Sequence, residues 1–88
     1  MTVPAKDPAR FAETRIEDQT VVMALESGDF FALEGTAETI WELIDGTRDR
    51  AAILAALGER YDAPAQTLAG DLDRFLGELA AAGLLAPG

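Results

Sequence analysis

Residues 29–46 read DFFALEGTAETIWELIDG, and the hydrophobic period changes partway through this stretch. Asp29 to Leu33 is a short aromatic and aliphatic run of the kind that forms a strand. From Thr36 the apolar residues Ala37, Ile40, Trp41 and Ile44 recur at i, i+3, i+4 and i+7, the spacing of one helix face. The helix is expected to run from Thr36 or Ala37 to Asp45, with Thr36 as its cap and Gly46 as its terminator. A strand feeding directly into an amphipathic helix sets the architecture on both sides.

Upstream, residues 13–35 contain three β-prone pieces, at about 13–17, 20–26 and 29–33, separated by Asp18-Gln19 and Ser27-Gly28. Two-residue turns at those places pair Ile16 with Val21, Leu25 with Phe30, and Ala24 with Phe31 in an antiparallel meander. One face then carries Ile16, Val21, Met23, Leu25, Phe30 and Ala32, the other Val22, Ala24, Phe31 and Leu33. Both faces are apolar, more than a three-stranded sheet with one wet face requires. Something besides the helices is expected to cover part of it, whether the N-terminal arm, a second copy or a partner.

Downstream, Asp49 caps a second helix that runs to about Arg60 with Ile53, Leu54 and Leu57 inward and Tyr61 at its exit. A third begins near Pro64 and ends at Ala82 before Gly83. Its wide apolar face is Leu68, Leu72, Phe75, Leu76 and Leu79, with Gly70, Arg74, Gly77 and Ala81 opposite. Residues 1–12 hold two prolines without periodicity and are expected to form a flexible arm docking through Phe11, leaving 13–86 as the folded domain. The expected fold class is α+β: an N-terminal three-stranded antiparallel meander followed by three helices, winged helix-turn-helix-like.

Composition removes most chemistries. The 88 residues include no Cys and no His, which excludes thiol nucleophiles, disulfides and imidazole–metal sites. The acidic pairs Glu17/Asp18, Asp45/Asp49 and Asp71/Asp73 lack the spacing and setting for acid–base work or for a cation. The only serine, Ser27, lies in a hairpin turn, so a carrier protein's modified serine is missing. A net charge of −9 disfavours nucleic acid and anionic membranes as partners. In the third helix, Asp71, Asp73 and Glu78 outweigh Arg74 and would repel DNA. No run is long enough to span a membrane, and residues 1–11 lack the apolar core of a signal peptide, so a cytoplasmic, non-enzymatic protein without cofactor or metal is expected.

The meander ending FFALEG, the Ile-Trp-x-Leu-x-Asp-Gly run at Ile40, Trp41, Leu43, Asp45 and Gly46, and the last-helix run Asp71, Leu72, Phe75, Leu76 and Leu79 together resemble the PqqD-like family. These are the recognition elements that bind leader peptides of ribosomally synthesised natural products (RiPPs). The IWELIDG segment is especially similar to the standalone recognition proteins of lasso peptide clusters. The chain departs from the family in having Leu33-Glu34-Gly35-Thr36 where members commonly have Leu-Asn. The resemblance implies a leader peptide added as a strand along the third strand, in a groove shared with the last helix. The implied site is Phe30, Phe31, Ala32 and Leu33 with Asp71, Arg74, Phe75 and Glu78. The implied partners are the precursor's leader and a leader protease or other modifying enzyme, with PqqD-type service to a radical enzyme and a structural homodimer as alternatives to a monomeric leader binder. Trp41, Ile40 and Leu43 are assigned to the core or its rim.

Overall fold

The computed structural model describes residues 3–86, so Met1 and Thr2 of the expected arm lie outside the described residues. Three strands, β1 (Phe11–Ile16), β2 (Gln19–Ala24) and β3 (Phe30–Leu33), precede three helices, α1 (Thr36–Leu43), α2 (Arg50–Arg60) and α3 (Ala65–Ala81). The sheet is antiparallel in the order β1-β2-β3, an α+β arrangement as expected.

Both hairpin registers differ from the expected ones. Ile16 pairs with Gln19 and Thr14 with Val21, because Glu17 takes the left-handed conformation (φ 58°) and the turn is Glu17-Asp18. In the second hairpin Phe30 pairs with Met23 and Phe31 with Val22, and Leu25 lies in the loop. That loop closes through Gly28 N–H to the Ala24 carbonyl (2.7 Å) and Ala24 N–H to the Asp29 carbonyl (2.8 Å), with Gly28 at φ 77°. Each shift is of two residues, the period of a strand, so the face assignments survive it. Val22, Ala24 and Leu33 are buried against the helices, and Phe31 packs at the edge of the same cluster.

Trp41 sits in that core at 1% exposure. Phe11 meets it edge-on with ring centroids 5.0 Å apart, and the Lys6 ammonium lies 4.3 Å from its centroid. Its indole N–H donates to Glu13 Oε1 at 2.9 Å, so β1 supplies the polar partner that a buried Trp requires. Burial pushes the Lys6 ammonium below its ordinary pKa, against the opposing pull of Glu13, Glu42 and Asp45. The segment expected to be a loose arm is also tied to the C-terminal end: Lys6 bridges to Leu85, with Asp7 N–H on the Leu84 carbonyl at 2.9 Å and Ala86 N–H on the Ala5 carbonyl at 2.8 Å.

Helix boundaries follow local chemistry. Thr36 does not cap α1, contrary to expectation: Gly35 is the cap residue at φ 60°, without a side-chain hydrogen bond, and Thr36 is the first helical residue. Only glycine takes that conformation without strain, and it lets the chain turn from β3 into α1 without a spacer. α1 ends at Leu43. Asp45, expected inside it, instead closes the following turn by accepting from Thr47 N (2.9 Å) and Thr47 Oγ1 (2.6 Å), and Gly46 continues at φ 83°. Asp49 caps α2 as expected, accepting from Ala52 N at 2.8 Å. Buried Thr39 and half-buried Tyr61 share a 2.7 Å hydrogen bond that joins α1 to the end of α2.

α3 ends in a Schellman motif: Leu84 N–H bonds the Leu79 carbonyl (3.0 Å) and Gly83 N–H the Ala80 carbonyl (3.1 Å), with Gly83 at φ 76°. Leu79 and Leu84 are both fully buried, which supplies the apolar contact that accompanies the motif.

Glu13→Ala is expected to leave the Trp41 N–H unpartnered in the core and to lower stability by about 1–3 kcal/mol. The urea midpoint reads this, and the same substitution in a Trp41→Phe background should cost less, because no indole N–H remains to be orphaned.

Candidate functional site: an open strand edge beside a helix groove

β3 is an edge strand, since β2 pairs with it on one side only. Residues of an antiparallel strand direct their N–H and C=O groups alternately to either side. Ala24 N–H bonds Asp29 O, and Leu25 N–H bonds Arg10 O at 2.9 Å, so the even-numbered residues of β2 face β3 and the odd-numbered ones face β1. Across the register Val22 pairs with Phe31 and Thr20 with Leu33. The backbone groups of Phe30 and Ala32 therefore point away from the sheet, to the open edge.

The edge runs into a groove of about 280 Å³ lined by Glu34, Thr36, Ala37, Ile40, Asp71, Arg74, Phe75 and Glu78. One wall is the β3–α1 junction; the other is α3. On α3 the spacing of 71, 74, 75 and 78 is i, i+3, i+4 and i+7, which stacks the four side chains along one flank. Phe75 (6% exposed) and Ile40 (1% exposed) form an apolar floor. The rim carries three carboxylates, Glu34, Asp71 and Glu78, against one guanidinium, Arg74. No ion pair among the described residues engages any of the four.

All four helix residues expected in the site line this groove. The four strand residues do not. Phe30 is 71% exposed on the sheet's outer face and Ala32 is also exposed there, while Phe31 and Leu33 (3% exposed) turn toward the core. What the strand offers at this place is backbone. The groove also takes in Glu34, Thr36, Ala37 and Ile40, which the sequence reading did not assign to a site, although Ile40 is the core residue it was expected to be. The i, i+3 pair Ala37 and Ile40 was assigned wholly to the core stripe, and nothing in the periodicity says that the first turn of α1 leaves this stripe open on one side.

The groove's far wall is braced from α2. Arg50 Nε and Nη2 donate to the two Asp73 carboxylate oxygens at 2.7 and 2.9 Å, a two-pronged contact that joins α2 to α3. It holds the Asp73 carboxyl below the usual carboxylate range and raises the Arg50 guanidinium. The hydrogen bonds from Thr47 do the same to Asp45, with Arg48 adding a smaller pull.

Three antiparallel strands with an unpaired third edge, packed on three helices that leave a groove beside that edge, define the structural class. The chain belongs to the PqqD family: the family model described as "Coenzyme PQQ synthesis protein D (PqqD)" matches residues 19–85. A "PqqA binding protein" from Rhizobium meliloti (strain 1021) is 34% identical over 70 residues, covering 80% of this chain and 69% of that one. The solved structure "TbiB1 in Complex with the TbiA(beta) Leader Peptide" superposes with a TM-score of 0.81 at 26% identity, covering 96% of each chain. "Lasso peptide synthetase B1 complexed with the leader peptide" shares the fold, with a TM-score of 0.81 at 18% identity over 97% of this chain and 99% of that one.

Replacing Arg50 with Gln should raise the Asp73 carboxyl back toward its ordinary pKa, read by carboxyl-carbon NMR across an acid titration. In the native chain the pair's contribution to stability is complete above that ordinary value and is lost as pH falls through the lowered one. Arg50→Gln removes that acid-side dependence.

Proposed function

We propose that this protein captures the leader peptide of a ribosomally made precursor, of the lasso peptide kind, and presents the attached core peptide to a processing enzyme. The observation that carries the reading is the open β3 edge, with the Phe30 and Ala32 backbone groups directed outward, opening onto the groove beside α3. A peptide added there as an antiparallel strand would gain main-chain hydrogen bonds at little cost to sequence tolerance. Its alternate side chains would then enter the groove over Phe75 and Ile40, where the charged rim could select among sequences. Phe31 and Leu33 act from beneath, by fixing the strand against the core.

The reading is supported by TbiB1, a protein of the same fold solved with a leader peptide, and by the family assignment. It requires binding energy alone and no catalysis, cofactor or metal. The partner enzyme in a lasso pathway would be the leader protease, followed by the cyclase. Holding the precursor on the same scaffold raises the enzyme's effective substrate concentration without new chemistry. A second reading, PqqD-type delivery to a radical enzyme, is favoured by the R. meliloti relative named for binding PqqA. Both readings place the protein in the cytoplasm as a monomer, with neither nucleic acid nor membrane as partner. No helix among the described residues is long and apolar enough to cross a membrane.

Titration of the labelled leader peptide encoded beside this chain should give saturable binding at or below tens of micromolar. The Phe30 and Ala32 amides should become protected from hydrogen exchange on binding. A proline in the leader at a position whose amide pairs with β3 should weaken binding about tenfold or more. Absence of saturable binding, or protection confined to residues away from β3, overturns the reading. A homodimer that buries the β3 edge would show instead as concentration-dependent sedimentation and refusal of leader.

A further inference from the structure

The meander's outer face faces away from the helices. Its register stacks Ala12, Met23 and Phe30 in one row and Thr14, Val21 and Ala32 in the next, with Ile16 beside Gln19 at the end. Phe30 is 71% and Ile16 57% exposed, so two large apolar side chains stand in water on a surface that the fold does not cover. At the Ile16 end, Glu17, Asp18 and Glu34 border a hollow of about 390 Å³ that Ile16 and Gln19 complete. No cation among the described residues pairs with those three carboxylates. The opposite end of the sheet carries Glu26 and Asp29, and the neighbouring Arg10 is already engaged by Asp7 (3.3 Å) and Glu26 (3.7 Å).

We propose that this outer face is the docking surface for the enzyme that processes the bound precursor, through an apolar patch on that enzyme bordered by lysine or arginine side chains. The inference rests on the leader-binding reading and extends it. A strand added to β3 directs alternate side chains to this same face, beside Phe30 and Ala32, so an enzyme seated there touches the precursor as well as its carrier. Charge selects the occupant. The face holds no lysine or arginine, so a second copy would set carboxylates against carboxylates, and an anionic membrane or nucleic acid would meet the same repulsion. A basic-rimmed protein surface satisfies both the apolar strip and its acidic end.

The test uses the full chain, its leader peptide and the purified processing enzyme encoded beside it, with binding followed calorimetrically. Wild type should bind the enzyme, and binding should weaken severalfold between low and high salt. Ile16→Ser/Met23→Ser and, separately, Asp18→Lys should each lower enzyme affinity about tenfold or more while leaving leader affinity within about twofold. Asp18→Lys lies in a solvent-exposed turn and keeps the test decisive if the double variant fails to fold. Unchanged enzyme affinity in Asp18→Lys, no enzyme binding by wild type, or a wild-type dimer that Ile16→Ser/Met23→Ser converts to monomer overturns the proposal. Loss of leader binding in wild type instead sinks the underlying function, so the two failures are separate.

Discussion

The burial of the Trp41 indole, with its N–H satisfied by Glu13, is the interaction on which the other parts converge. Phe11 from the start of β1 meets the ring edge-on and Lys6 covers its face. One side chain thus fixes the N-terminal segment, the first strand and the first helix relative to each other. An 88-residue chain buries only a modest share of its surface, so a residue of this size at the junction of three segments carries a large part of the available apolar gain. The terminal bridge from Lys6 to Leu85 then closes the structure from the other side, behind the Schellman turn that buries Leu84.

That frame explains how an unpaired strand edge can persist in a small protein. Edge strands invite aggregation unless they are short, charged or covered. β3 has only four residues, and it passes through Glu34 and Gly35 straight into α1. Its inner side chains Phe31 and Leu33 are fixed by the core, which leaves the backbone of Phe30 and Ala32 oriented and unpaired at no further ordering cost. A preorganised edge of this kind is suited to gaining a strand. The surrounding carboxylates add a barrier to self-association, since a second copy brings the same charges.

The fold was largely legible because its signals are local. The change of period within residues 29–46, the cap at Asp49 and the glycine end at Gly83 each act within a few residues of chain, whereas Gly46, expected to terminate α1, lies in the turn beyond its end at Leu43. The face assignments were legible even though both hairpin registers were displaced, since a displacement of two residues preserves strand alternation. Turn geometry was not legible: nothing about Glu17 announces a left-handed residue, and Gly35 rather than Thr36 caps α1 because the junction demands a positive φ. The site divided the same way. Asp71, Arg74, Phe75 and Glu78 share a helix flank by spacing alone, and all four line the groove. Glu34, Thr36, Ala37 and Ile40 do so only because the β3–α1 junction packs opposite α3, which no single segment encodes.

The sequence by itself determined which residues form strands and helices, which faces are apolar, and which chemistries are closed to a chain without cysteine or histidine. Those properties depend on backbone preference and on side-chain period, both short-range. The tertiary structure alone decided that Glu13 meets Trp41 across 28 positions, that Arg50 braces Asp73 across 23, and that the open side of β3 adjoins the groove of α3. Those are consequences of packing elements together, where the position of one side chain is set by all the surfaces that surround it.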